Sequence, residues 1–524
     1  MQNTVIIGVN ILETLTTGMY YDSRVIFREY IQNSCDQIDV AVRSKLLAQN
    51  EGQVDIWIDE DQRSISIEDN ATGISETEFK HTLYNIGDSQ KTLGEDKGFR
   101  GIGHWCGLGY CKTLIFTTKA KGENVESVMT CDAEKMRQML IDHNTRVKRY
   151  SIDDVLTATI NFSINSNKNT NDHYFKVDML GITDTNDHLL NRLELKNYLS
   201  FVAPVPYANS FYNFCKEIYA HAEKLNVRLD EYRVTVDAEP IEKKYTKHFE
   251  TSKGTDEISR IEFIDFYDDN GTLIAWMWYG LSKFIARIDE DCIMRDIRLR
   301  KDNIQIGDST ALKNISRRGD KIGTNYTIGE IFAISKLLIP TSQRDYFEDN
   351  KERKILEKNL RDFFTGTLYD LYNEGSKINS AFDKIEKYDQ MEVDFQQKEN
   401  NGQFTDRTQR DNEFEKLQEA KSKSDEATQR IDKLRDKLSN ESHAKKIIDE
   451  REQMRKRTIK KNNKKIKDTI HDGKTKPVYV IDTQLSHYSK QERKLIEAIF
   501  SIITASVDSK TAEMLKERIV EELK

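Results

Sequence analysis

The stretch VIFREYIQNSCDQID, residues 25–39, decides the fold of the N-terminal part of this chain. In a helix, Glu29, Asn33 and Asp36 stand at i, i+4 and i+7, so that a carboxylate, an amide and a second carboxylate share one face. A carboxylate can orient and deprotonate an attacking water, and an amide oxygen suits Mg²⁺. Taken alone, the spacing fits a solvated helix face equally well.

The stretch SISIEDNATGIS, residues 64–75, predicts a strand that ends at Glu68 and Asp69 and then turns. A buried aspartate at a strand end can accept a hydrogen bond from the exocyclic amine of adenine. Gly73 would let the backbone approach the purine ring closely. The alternative is an ordinary Asp-Asn turn.

A third stretch, KGFRGIGHWCGLGY at residues 97–110, contains Gly98, Gly101 and Gly103 in a Gly-x-x-Gly-x-Gly pattern. Glycines free backbone amides to cradle phosphates. The pattern does not sit in a Rossmann unit, and no Gly-Lys-Ser or Gly-Lys-Thr follows it as a Walker loop requires. Alone, it is also compatible with a structural glycine-rich loop.

The order and spacing of the three stretches resemble the ATP-binding domain of the GHKL superfamily. This superfamily contains gyrase-type topoisomerases, ninety-kilodalton heat-shock chaperones, histidine kinases and MutL. Residues 13–39, ETLTTGMYYDSRVIFREYIQNSCDQID, resemble the heat-shock-chaperone branch and its stand-alone relatives. The resemblance implies a Bergerat-type α/β fold, an α+β sandwich, with ATP and Mg²⁺ as ligands.

The resemblance also implies a role for each matching residue. Glu29 matches the general base, Asn33 the magnesium ligand, and Asp36 an acidic position that faces the nucleotide. Asp69 matches the adenine-binding aspartate and Gly73 the glycine beneath the base. The phosphate loop is matched by Gly98, Gly101 and Gly103.

The segment IGDSQKTLGEDKGFR, residues 86–100, matches the mobile lid of the family. Its Ser89, Lys91 and Thr92 are candidates for phosphate contacts, although an exposed loop lysine is more often solvated.

Two positions depart from the family pattern. Ala71 stands where the first glycine of the Asp-x-Gly-x-Gly turn is usual. The strand threonine of the family falls near LTATINF, residues 156–162, where Thr157 and Thr159 remain alternatives.

The predicted domains are an ATP-binding domain at 1–190 and an α/β middle, or transducer, domain at 191–375. In the family, the second domain directs a basic residue towards the γ-phosphate. The candidates here are Arg298, Arg300 and Lys301, and Lys301 is the one we assign to catalysis. A solvated basic edge is the alternative for each of them, whereas Arg344 and Asp345 are predicted to be structural salt-bridge partners.

Beyond residue 375 the sequence predicts helices. Residues 376–470 are charged, free of proline and poor in glycine, which predicts a coiled-coil stalk or helical hairpin that turns at Gly402. Residues 471–524 predict a small helical module for dimerisation. Its apolar face, which contains Leu495, Ile499 and Ile503, is expected to pack on the module itself or on a second subunit.

The stalk ends in a basic segment. Eight Lys or Arg residues lie between Arg455 and Lys467, and they could bind nucleic acid phosphates. No aromatic residue is interleaved for base stacking. A solvated helix end, neutralised by nearby acids, is the simpler interpretation.

Composition limits the functional classes. The chain has 524 residues, a formal net charge of −8 and six scattered cysteines, which argues against a zinc site or a disulfide framework. No signal peptide and no membrane span is predicted, so a cytoplasmic protein is expected.

The leading functional interpretation is a homodimeric, heat-shock-protein-90-like ATPase that closes on ATP and remodels or gates a macromolecular partner, with the identity of a protein client or DNA left open. One alternative is a DNA-acting clamp that resembles MutL or MORC proteins. Another is a non-catalytic scaffold gated by nucleotide.

Overall fold

The computed structural model divides the chain into two compact units: Met1–Ser282 with Ala286–Leu368, and Lys283–Ile285 with Tyr369–Lys524. The residues that the structure describes are 8–14, 22–85, 97, 101–312, 315, 324–439, 442–469 and 479–524. Within these ranges no helix is both long and apolar enough to cross a membrane.

A mixed sheet of eight described strands organises the N-terminal part of the first unit. The strands are β1 Gln53–Asp59, β2 Ser64–Asp69, β3 Thr113–Lys119, β4 Glu126–Asp132, β5 Ile160–Asn165, β6 Tyr174–Leu180, β7 Arg233–Val236 and β8 Glu239–Pro240. Their order is β5-β4-β3-β6-β2-β1-β7-β8, and the β1–β7 pair is parallel. The sheet therefore gains its last two strands from residues far along the chain.

Helices complete this α/β layer. They are α1 Asn10–Glu13, α2 Val25–Arg43, α3 Glu76–Tyr84, α4 Ala133–Asn144, α5 Ile152–Thr159, α6 Arg192–Val202 and α7 Tyr212–Lys224. Strand β1 alternates buried and more exposed residues, as a strand with one covered face does. Phe27 and Ile31 of α2 share one apolar core with Ile56 of β1.

A second sheet follows in the same unit. The hairpin β9 His248–Thr251 and β10 Gly254–Glu257 precedes β11 Arg260–Tyr267, β12 Leu273–Leu281, β13 Asp296–Lys301, β14 Ile304–Ile306 and β15 Ile328–Ala333. The last five pair in the order β11-β12-β15-β13-β14. Helix α8, Lys351–Asp362, comes after this sheet. The predicted α/β character of both regions is confirmed.

The second unit is helical. Its elements are α9 Leu368–Asn400, α10 Arg407–Arg435, α11 His443–Thr469, α12 Val480–Thr483, α13 Lys490–Ser506 and α14 Ser509–Glu522. Gly402 has a φ of +63° between α9 and α10, which matches the predicted turn of a hairpin. Lys398 lies 2.8 Å from Glu413, so the two arms run antiparallel.

The C-terminal helices pack on the turn end of this hairpin. Phe500 of α13 and Phe404 before α10 belong to one buried cluster. Lys516 of α14 lies 2.8 Å from Asp406, and both side chains are nearly fully buried. Leu495, by contrast, is 63% exposed, so only part of the predicted apolar face is covered by this chain.

Two sequence-based placements need correction. Residues 233–236 lie within the predicted middle domain at 191–375, but they form strand β7 and pair with β1 of the first sheet. The LTATINF stretch, residues 156–162, where the strand threonine of the family is expected, begins as the end of helix α5. This helix starts at Ile152 with a capping box of Ser151 and Asp154. The proposed boundaries after residues 190, 375 and 470 stay predictions.

Candidate functional site

Helix α2 and the glycine stretch meet at Glu29. The Glu29 side chain is 12% exposed, and its Oε1 lies 3.3 Å from Nη2 of Arg28. A Cβ atom placed on Gly103 would lie 2.9 Å from Oε2 of Glu29. A side chain at residue 103 would therefore require the Glu29 carboxylate to move. The structure thus brings Glu29 of α2 and the glycine stretch together.

Asp69 ends β2 and is buried. Its Oδ2 accepts a hydrogen bond of 2.7 Å from the Ser34 hydroxyl of α2, and its Oδ1 accepts one of 3.1 Å from the amide of Ala71. Burial raises the pKa of Asp69 to about 7, although both hydrogen bonds oppose the shift. Ser34 was not singled out from the sequence. Its place one residue after Asn33 puts it on the side of α2 that faces the sheet.

The turn after Asp69 depends on a glycine. Gly73 has a φ of +63°, and a Cβ there would lie 2.0 Å from the carbonyl oxygen of Lys119. The buried Thr118 hydroxyl accepts a hydrogen bond of 2.8 Å from the amide of Ile74 and donates one of 3.1 Å to the carbonyl of Tyr174. Thr118 is thus a residue that the sequence-based search missed, because the contact joins separate strands.

The threonines proposed from the sequence lie elsewhere. Thr157 and Thr159 belong to α5, and Thr159 Oγ1 donates 2.7 Å to the carbonyl of Val155 in the same helix. Strand β2 pairs with β6 and β1, whereas β5 lies at the edge of the sheet. Thr157 and Thr159 therefore do not lie on a strand next to Asp69.

Asp36 contacts Lys97, which lies near the C-terminal end of the predicted lid segment. Its Oδ1 accepts a hydrogen bond of 2.8 Å from the amide of Lys97. The Lys97 ammonium lies 2.6 Å from Asp39 and 3.1 Å from Asp230, so this lysine is fixed at both its backbone and its side chain. Asn33 lies on α2 between Glu29 and Asp36 and is half-buried.

The glycine stretch is described from residue 101 onward. Gly101 has a φ of +67° and precedes a short 3₁₀ helix at Gly103–Gly109. The predicted contact residues Ser89, Lys91, Thr92 and Gly98 lie outside the described residues.

A buried arginine from a distant loop reaches this site. Arg344 is 6% exposed, has a φ of +53°, and donates through Nη2 to the carbonyl of Lys97. Burial lowers the pKa of its guanidinium, while the charge of Glu29 works to raise it and that of Arg28 lowers it. Arg28 in turn donates 3.0 Å to the carbonyl of Gln343. The loop is thereby tied to α2.

Arg344 was predicted to be a structural salt-bridge partner, and this is not what the structure records. Asp345 accepts a hydrogen bond from the Thr341 hydroxyl, while the Arg344 guanidinium points to Lys97. Arg344 lies in a short loop, TSQRDY, after Pro340. No local sequence pattern predicts that this loop contacts α2.

The three basic candidates of β13 have other partners. Arg298 donates 3.0 Å to Oε1 of Gln305, and Arg300 forms a fully buried ion pair with Glu330. Lys301 Nζ donates 2.9 Å to the carbonyl of Ser335 and 3.3 Å to that of Ile334. The structure therefore does not bring Lys301 to Glu29, and its catalytic role stays a prediction.

Comparison with known proteins supports the N-terminal assignment. Residues 21–178 match the family described as histidine kinase-, DNA gyrase B- and HSP90-like ATPase. The chain is 24% identical over 159 residues to the chaperone protein HtpG of Psychrobacter arcticus, across 27% of this chain and 24% of that protein. It is 28% identical over 131 residues to HtpG of Psychrobacter cryohalolentis, across 22% of this chain and 20% of that protein.

The match thus spans about a quarter or less of the length of these chaperones. The family match at residues 21–178 covers the part of the chain that contains α2, the Asp69 turn and the glycine stretch. Residues 21–178 therefore match the GHKL type of ATPase domain, and part of the chain is similar to chaperones of the heat-shock-protein-90 type.

Proposed function

We propose that this chain binds Mg-ATP beside α2 and hydrolyses it to ADP and phosphate. The observation that carries the proposal is the pair of buried arginines beside Glu29. Arg28 Nε and Arg344 Nη1 are buried and have no hydrogen-bond partner among the described residues. A buried donor without an acceptor is costly, and a terminal phosphate would supply the missing acceptors together with opposite charge.

The other end of the site suits adenine. Asp69 is buried and can accept a hydrogen bond from an exocyclic amine, while Ser34 and the amide of Ala71 hold its carboxyl group in place. The close approach of Gly73 to the Lys119 carbonyl holds the turn that follows Asp69 against the neighbouring strand. The residues present therefore fit a nucleotide.

Magnesium would be held by the Asn33 side-chain oxygen together with phosphate oxygens, and it would supply neutralisation of phosphate charge. Asn33 follows Glu29 by one helical turn, so a ligand to the metal and a base for the water would stand side by side. This role for Asn33 is part of the proposal.

In the hydrolytic step, Glu29 accepts a proton from water as the water oxygen bonds to the γ-phosphorus. The bond from that phosphorus to the bridging oxygen of ADP breaks, and the electron pair stays with ADP. Arg28 positions the Glu29 carboxylate, and Arg344 stabilises the charge on the transferring group. Arg344 thus takes the role that the sequence suggested for Lys301.

The test is to compare ATP binding and ATP turnover in the wild type and Glu29→Gln. We expect Glu29→Gln to bind ATP with nearly wild-type affinity and to lose turnover by about 10²-fold or more. Glu134→Gln, at an exposed position on α4, is the matched control and should behave as wild type.

Two results would decide against the proposal. Turnover that survives in Glu29→Gln would reject the assigned base. ATP binding without turnover in the wild type would favour the nucleotide-gated scaffold instead.

We also propose that ATP drives closure of a homodimer that acts on a macromolecular client, because the similar proteins are named chaperones. Light scattering with and without ATP tests the dimer. A monomer at every nucleotide condition would remove this part of the proposal and leave the ATPase part intact.

A further inference from the structure

Helix α11 has one face that packs against α9 through ion pairs. Arg451 Nη2 lies 3.2 Å from Asp383 and 3.3 Å from Glu386, and Arg455 Nε lies 2.6 Å from Asp389. Arg451 and Arg455 are one helical turn apart and therefore share a face. Acids of α9 neutralise the arginines on this inner face.

Four further cations follow on the same helix and are all exposed: Lys456, Arg457, Lys460 and Lys461. At 100° per residue, these four positions lie between about 100° and 240° around the axis from Arg455. They occupy the side of α11 that faces away from the ion pairs with α9. We call these four residues the basic face of α11.

The basic face has no acidic residue within its own sequence. No Asp or Glu occurs from Gln453 to Lys467, and the lysines at 464 and 465 repeat the four-residue step in the sequence. A chain with a formal net charge of −8 therefore concentrates positive charge on one side of one helix. A helix surface that was merely solvated would be expected to mix both signs of charge, as α10 does where Lys423 lies 3.9 Å from Glu419.

We propose that the basic face of α11 binds double-helical nucleic acid through its phosphates and without reading the base sequence. Lysine and arginine on an exposed helix neutralise phosphates and release counterions, which needs no shaped pocket. Three of the four cations of the basic face are lysines, whose ammonium groups bind phosphate as point charges on flexible stems. The inference does not rest on the proposed ATPase function.

Two other polyanions fit this helix less well. An interfacial helix needs an apolar face to enter a membrane, but the buried Ile447 and Ile448 of α11 are already covered by protein. A single strand would gain from aromatic stacking, and the sequence of α11 contains no Phe, Tyr or Trp. A duplex needs neither feature.

The experiment measures the affinity of the full chain for a labelled mixed-sequence DNA duplex by fluorescence anisotropy over a salt series. Four phosphate contacts predict a slope of about −3.6 for log affinity against log salt, which is roughly a 150-fold loss between about 50 and 200 mM salt. The variant K456Q/R457Q/K460Q/K461Q should lose most of this affinity, and its slope of log affinity against log salt should be less steep by about 3.6.

The matched control is K416Q/K421Q/K423Q/K433Q, which removes four exposed cations from α10. Glutamine keeps helix propensity in both variants, and circular dichroism with thermal melting checks that both fold. The control should bind DNA as the wild type does. Equal losses in the two variants would overturn the proposal, because affinity would then follow net charge alone.

Additional binding experiments distinguish the possible partners. A duplex RNA probe shows whether the basic face binds the phosphate backbone of RNA as well as that of DNA, and binding of either duplex through the basic face supports the proposal. A single-stranded DNA that binds more tightly than the duplexes would overturn it. So would strong flotation with phosphatidylcholine–phosphatidylserine vesicles in the absence of duplex binding.

A measurement on the wild type alone keeps the proposal testable if the variants misfold. Hydrogen exchange with and without duplex DNA should show added protection in the part of α11 around residues 453–462, and none in α10. Protection confined to other helices would contradict the assignment.

Discussion

Replacing Arg344 by alanine removes a buried guanidinium that stands beside Glu29 and is 6% exposed. One of its terminal nitrogens already donates to the carbonyl of Lys97, so the other, Nη1, is the donor left for a phosphate. Losing one such preorganised donor costs about 10²–10³ in kcat, or roughly 3–4 kcal/mol. We expect Arg344→Ala to show this fall in kcat with a nearly unchanged KM, because the donor acts mainly on developing charge.

The assay is steady-state ATP turnover, with nucleotide affinity measured separately by calorimetry. Arg353→Ala is the control, because Arg353 packs 4.8 Å over the ring of Tyr346 in the same loop region but pairs with Glu357. Lys301→Met tests the other cation and should reduce kcat less than tenfold. The reasoning fails if Arg344→Ala turns over ATP at the wild-type rate, or if Arg353→Ala loses as much.

Four further substitutions probe the fold around the site and at the C-terminal end. Because burial raises the pKa of Asp69 from 3.8 to about 7, the folded protein binds a proton more tightly, and its free energy of unfolding falls as pH rises through this window. Asp69→Asn should flatten that fall in pH-dependent melting curves of the nucleotide-free protein. Gly122→Ala has open space and should cost about 1–2 kcal/mol for its positive φ. Gly73→Ala should cost more in denaturant titrations, since it also collides with backbone, and equal costs would contradict this contact. Lys516→Met leaves Asp406 buried without its ion partner and should destabilise the helical unit by roughly 3–5 kcal/mol, as amide exchange in α13 and α14 would report.

The sequence predicts the local elements of the site well. The helical spacing of Glu29, Asn33 and Asp36 and the strand that ends at Asp69 both depend on residues close in the chain. Helical period and strand alternation are local properties, so they can be read from a single sequence. The hairpin turn at Gly402 was predictable for the same reason.

The errors concern contacts between distant segments. Strand β7 joins β1 in parallel across about 180 residues, and no local pattern specifies that partner. Lys301 is the last residue of a buried strand of the second sheet, whereas Arg344 lies in a loop after another strand, and the local sequence does not reveal which of them lies near Glu29. The position of Thr118 likewise depends on the order of strands in the sheet, which sequence spacing does not encode.

Lys97 joins two segments that are far apart in the chain. Its amide is bound by Asp36 of α2 and its carbonyl by Arg344 of the 341–346 loop, so both hydrogen-bonding groups of one peptide residue are committed. A shift of this residue would change both bonds at once. Coupling free energies are reciprocal. If the hydrogen bond from Arg344 to the Lys97 carbonyl stabilises the bond between the Lys97 amide and Asp36, then the bond to Asp36 stabilises the bond to Arg344 by the same free energy.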